Sequence, residues 1–172
     1  MKVRLSDYNP IWKQRFEEEC KKLSLILKNE VVKFEHFGST SVPGMKAKPI
    51  VDMIVLVKNI EVVDNFNTQF IDAGYDVAGE WGIPGRRLLR KGGENRTHHI
   101  HIYQHDHPEI YRHLALRDYL LNNPKEVKAY SNLKQKLVKS FNETPEYRNA
   151  KHDYVVALEQ RALEYFKKAN KY

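Results

Sequence analysis

The chain has 172 residues, of which 41% are apolar and 30% charged, a profile that excludes a disordered or fibrous protein and leaves room for a hydrophobic core. Cys20 is the only cysteine, which excludes an internal disulfide, and no apolar run approaches the ~20 residues of a membrane-spanning helix. Lysine and arginine (29) outnumber aspartate and glutamate (22), and the net charge of +7 favours polyanions by long-range attraction without saying which.

The first residues, MKVRLSDYNP, lack the apolar centre of a signal peptide, so a cytoplasmic protein is expected. Asn9 as N-cap and Pro10 as first helical residue open a helix carrying Trp12, Phe16, Leu23 and Leu27 on one stripe. VVKFEHFG reads as a strand by alternation. Ile50 to Val57 reads as a second strand, apolar on both faces apart from Asp52 and therefore interior to a covered sheet. NIEVVDNFNTQFIDAG reads as a helix closed by Gly74. YDVAG, RRLLRK and THHIHIYQ follow as short strands joined by the glycine-rich turns GEWGIPGRR and KGGENR, which have the character of hairpins. The last third is helical, with Asp106, Asn123 and Thr144 as expected caps, each ahead of a proline. With no repeat and no linker, a single domain over residues 1–172 is expected. Its fold class is α+β (mixed α/β): a mixed sheet flanked by helices, with a helical C-terminal part.

Three features carry chemistry. The turn Gly38-Ser39-Thr40-Ser41 follows a strand, and its amides and hydroxyls suit phosphate oxygens; alternatively they satisfy their own backbone. Asp52 is a lone carboxylate in an apolar strand, costly to bury without a partner. Of eight histidines, His99 and His101 share one strand face with Tyr103, while Ile100 and Ile102 face the other way. Joined with Asp52, the two imidazoles would make a set suited to Zn²⁺, Fe²⁺ or Mn²⁺; without metal they would contact phosphate or move protons near neutral pH. Arg86 and Lys48, near these elements, and His113 and Arg117, four apart on one helix face, are further candidates for an anionic ligand. For Arg117 the competing reading is an ion pair with Asp118 or Glu109. A nucleic-acid partner is disfavoured, since aromatic and basic residues are not interleaved and no recognition motif is present.

HFGSTSVPGMKAKPIVDMIV, HHIHIY and RHLALRDYLLNNPKEVKAYSNLK resemble the GrpB (UPF0157) family over nearly the whole chain. That family is similar in fold to nucleotidyltransferases, and a related domain occurs fused to dephospho-CoA kinase. The resemblance implies a nucleotidyltransferase-like fold in which the Gly38-Ser39 turn holds nucleotide phosphates and Asp52 is the first of the metal-binding carboxylates. It implies a divalent cation, Mg²⁺ by the superfamily's pattern and Mn²⁺ or Zn²⁺ if the histidines join Asp52, and a nucleotide or other phosphorylated small molecule as ligand, with nucleotidyl or phosphoryl transfer, or hydrolysis, as the reaction. The sequence departs from the superfamily at Ile54, where the second carboxylate belongs, and in the histidine strand, where the third belongs. The alternative is a degenerate module that binds a nucleotide or CoA-related compound without chemistry.

Overall fold

The computed structural model describes residues 2–168. They divide into two compact units, each assembled from separated stretches of chain: residues 2–9, 38–49 and 111–168 in one, residues 10–37 and 50–110 in the other. The interleaving explains why no shift of composition marks a boundary.

The second unit is built on a sheet. Helix α1 (Ile11–Leu27) opens with Pro10, rather than Asn9, at its N-cap position, one residue later than the sequence implies. Strands β1 (Val31–Phe37), β2 (Val51–Val57), β3 (Asp76–Gly79), β4 (Arg86–Lys91) and β5 (His98–Gln104) form, among the described residues, a five-stranded sheet in the order β1-β2-β5-β4-β3. β2 and β5 run parallel and the other neighbours antiparallel, so both glycine-rich turns are hairpins. The expected single helix after β2 is broken into α2 (Ile60–Val63), a 3₁₀ turn (Asp64–Phe66) and α3 (Asn67–Asp72). Asn59 caps α2 by accepting the Glu61 amide at 3.0 Å.

Alternation along the strands sorts the sheet into two faces. Leu23 and Leu27 of α1, Val63 and Phe70 pack with Met53, Val55, Val57, Leu89, Ile100 and Ile102 into one continuous core. The opposite face therefore carries the out-of-phase residues: Phe37, Asp52, Ile54, His99, His101, Leu88 and Arg90.

The first unit is mainly helical, with α4 (Glu109–Leu121), α5 (Pro124–Ser140) and α6 (Thr144–Lys168) contributing to it. Its core joins Val42 and Met45 to Ala115, Leu120, Val127, Tyr130, Leu158, Ala162 and Phe166. Two helix starts differ from expectation. Asn123 precedes Pro124 as read, but its amide side chain donates back to the Tyr119 carbonyl at 2.7 Å and makes no cap bond. At the start of α4 the Glu109 amide is received by His107 Nδ1 (3.1 Å), not by Asp106, while His107 Nε2 donates to the Pro84 carbonyl at 2.8 Å. No helix among the described residues is long and apolar enough to cross a membrane.

The turn after β1 needs its glycine. Gly38 has φ 72° and ψ −174°, a conformation essentially closed to residues with a Cβ. Gly38→Ala is expected to cost about 1–3 kcal/mol in a urea unfolding titration.

Candidate functional site

On the face of the sheet opposite the α1 core, β2 and β5 lie side by side in register, Asp52 opposite His99 and Ile54 opposite His101. The parallel pairing places both imidazoles on the same carboxylate oxygen: Asp52 Oδ1 is 3.5 Å from His99 Nδ1 and 3.8 Å from His101 Nε2. These are ion-pair separations, longer than a direct hydrogen bond. Burial alone would raise the Asp52 carboxyl, but the facing groups of His101 and His99 outweigh it and hold the acid well below the usual carboxylate range. For His101 the balance goes the other way: burial depresses its basicity despite the nearby carboxylate, and the Arg86 charge adds to the depression. The Phe37 ring packs edge-on against His101 with centroids 5.1 Å apart.

Arg86, expected to meet an anion, is instead committed within the fold. Its Nε and one terminal nitrogen donate to the carbonyls of Glu80 (3.2 Å) and Trp81 (2.7 Å), and its other terminal nitrogen stands 3.3 Å from His101 Nδ1. Ile54 is fully buried and offers a hydrocarbon at the position where a second acid was sought. Two imidazoles and a carboxylate are donors of a kind that suits Zn²⁺ or Mn²⁺. Yet among the described residues no group of three or more His, Cys, Asp or Glu side chains is arranged to hold a metal ion. His36, beside the turn, stacks on Phe16 at 5.0 Å.

The first unit holds a second polar group, centred on a residue that the sequence reading did not single out. Lys134 is 2% exposed. Its ammonium donates to Ser39 Oγ at 2.6 Å and to the Lys46 carbonyl at 2.8 Å, and it lies 4.1 Å from the centre of the Tyr130 ring. All three partners are neutral. Burial first, then the charges of Lys151 and Lys48, push this ammonium well below the ordinary lysine value of 10.5. Lys134 is thus a buried amine whose protonation is opposed by burial and by two other lysines. The signal was present in the sequence: α5 buries Val127, Tyr130, Ser131 and Lys134, so the lysine continues an apolar stripe.

The remaining candidates divide. Within the turn, the Ser41 hydroxyl and amide both return to the Gly38 carbonyl (2.5 and 3.1 Å), and Thr40 is buried. The Ser39 hydroxyl receives the Lys134 ammonium, and Lys48 contributes positive charge to the same group. Arg117 takes the competing reading, with its Nε 2.9 Å from Asp118 Oδ1. His113 lies on α4, half-buried, in the same unit.

A mixed, largely antiparallel sheet with one parallel pair, a Gly-Ser turn leaving its first strand and an acid on the second defines the nucleotidyltransferase-like fold. A MgATP-bound mutant of the Cid1 poly(U) polymerase has a TM-score of 0.51 against this chain, with 17% identity over 75% of this chain and 45% of Cid1. The family described as "GrpB protein" matches residues 2–161, and the chain belongs to that family. The crystal structure of the conserved protein GrpB from Enterococcus faecalis is similar at a TM-score of 0.91 and 44% identity, covering 95% of this chain and 99% of that one. The UPF0157 protein YqkA of Bacillus subtilis is 41% identical over 98% of this chain; the match spans half of YqkA's length.

Proposed function

We propose that this chain binds a nucleotide or another phosphorylated small molecule. Lys134, with Lys48, Lys151, Ser39 and the Gly38 backbone, receives phosphate oxygens; Asp52, His99 and His101 form a separate polar centre within the other unit. The observation that carries the reading is Lys134. A buried lysine among lysines, with neutral hydrogen-bond partners among the described residues, has its ammonium form stabilised by an incoming polyanion, and a phosphate supplies both the charge and the acceptors. The fold is shared with Cid1, which is found with MgATP, and this supports a nucleotide over other anions. The buried Ile54 favours binding, or chemistry by proton transfer, over nucleotidyl transfer on two metal ions.

Calorimetric titration of the full chain with nucleoside triphosphates, CoA and inorganic triphosphate tests the reading, in EDTA and then with Mg²⁺ or Mn²⁺. Saturable binding in EDTA that weakens with added salt is the expected result. Absence of binding by every phosphorylated compound at low salt overturns it. Turnover that appears only with added metal would restore a metal-dependent transferase.

A further inference from the structure

We infer that Arg86 is a positioning residue that locks His101 as the Nε2–H tautomer facing Asp52, so that Asp52 and His99 form a metal-free proton-transfer pair rather than part of a cation site. A guanidinium donates hydrogen bonds and never accepts them. With an Arg86 nitrogen 3.3 Å from His101 Nδ1, that atom must present its lone pair. A neutral imidazole then carries its proton on Nε2, the nitrogen directed at Asp52 Oδ1. A cation on Asp52 would need the Nε2 lone pair instead. Supplying it moves the ring proton to Nδ1, where it meets the Arg86 N–H groups head-on.

Arg86 has little room to retreat. It is 7% exposed and fixed by the Glu80 and Trp81 carbonyls. Trp81 adopts a left-handed backbone (φ 46°), unfavourable for a bulky residue and maintained at the carbonyl that receives Arg86. The edge-on Phe37 ring limits rotation of His101. The depressed basicity of His101 agrees, because a second ring proton would face the guanidinium.

His99 is left with a different role. Its Nδ1 faces the same Asp52 oxygen, and its side chain is 34% exposed. With Nδ1–H turned to the carboxylate, Nε2 holds the lone pair, the arrangement in which an acid orients an imidazole for general base work. His99 Nε2 takes the proton of a ligand hydroxyl or water, the electron pair of the broken O–H bond stays on that oxygen, and Asp52 steadies the imidazolium. Only the identity of the ligand rests on the function proposed above; the tautomer does not.

The test uses the full chain labelled with ¹⁵N-histidine. Two-bond ¹H–¹⁵N spectra at neutral pH are expected to show His101 protonated at Nε2 and bare at Nδ1. Titration with Zn²⁺ or Mn²⁺ alone is expected to show no saturable binding that His101→Ala removes. In Arg86→Met the tautomers redistribute and Zn²⁺ affinity rises by about tenfold or more, a gain lost when His101→Ala is added. A His101 protonated at Nδ1, or Zn²⁺ or Mn²⁺ binding by the unmodified chain that His101→Ala abolishes, overturns the inference. Should Arg86→Met fail to fold, the spectrum and titration of the unmodified chain decide alone. A wrong tautomer with intact nucleotide binding sinks only this inference; the right tautomer without nucleotide binding sinks only the proposed function.

Discussion

Lys134→Met is expected to weaken nucleotide or triphosphate binding by about 100-fold, while Lys136→Met, exposed on the same helix, leaves it within about threefold. The size follows from losing one charged hydrogen-bond donor in a site shielded from water, worth about 1.5–3 kcal/mol. Stability responds to the same substitution in a way a structural lysine would not. The folded-state pKa of Lys134 lies below its unfolded value of 10.5, so between those limits the unfolded chain holds the extra proton and stability rises with pH. Urea unfolding at a series of alkaline pH values should show that rise in the unmodified chain and a flatter profile in Lys134→Met. An anionic ligand restores the charge on Lys134, so binding within this window takes up protons, and calorimetry in buffers of different ionisation heat detects the uptake. Unchanged affinity in Lys134→Met would make the lysine a structural strut and remove the main support for a phosphate ligand.

How much of this was legible in the sequence depends on whether the deciding contacts are local. Strand faces were, because a period of two is written in the order of residues: His99 and His101 were assigned to one face and Ile100 and Ile102 to the other, as observed. That Asp52 meets this pair depends on β2 and β5 being parallel neighbours, which alternation cannot supply and which the sequence left as a condition. Arg86 was expected to meet an anionic ligand, and Arg117 either to do so or to pair with Asp118 or Glu109. The structure commits Arg86 to two carbonyls and an imidazole, and pairs Arg117 with the adjacent Asp118. Charge type is visible in a sequence; whether a guanidinium is already occupied is not. Lys134 was missed for the opposite reason. A lysine on a helix is ordinarily solvated, and only its place on the stripe of Val127, Tyr130 and Ser131 marks it as buried. The helix break at residues 64–66 and the cap at His107 turn on hydrogen bonds that composition alone does not rank.

Glu19→Ala is expected to destabilise the protein by about 3–5 kcal/mol, because it removes one member of a buried charged network and strands the others. Glu19 lies on the apolar stripe of α1, between Trp12 and Leu23, and is itself buried. Both its oxygens receive Lys91 Nζ at 3.0 Å, the Tyr75 hydroxyl donates to one of them, and His98 Nε2 is 3.7 Å away. The network thus ties α1 to β4 and β5 from the back of the sheet, at the residue preceding His99. Burial alone would raise the Glu19 carboxyl, yet the hydrogen bonds from Tyr75 and Lys91 prevail and lower it. Its contribution is therefore fully present above the ordinary value of 4.5 and is lost as pH falls through the lowered one. Glu19→Gln should flatten that acid limb, and urea titrations from neutral to acidic pH measure it. The triple variant Glu19→Met, Lys91→Met, Tyr75→Phe separates two accounts of the loss. If stranded partners are the cause, removing the two hydrogen-bond donors together with the acid recovers most of the stability lost in Glu19→Ala. If the triple variant is no more stable than the single one, the ion network itself, rather than the cost of breaking it, holds α1 on the sheet.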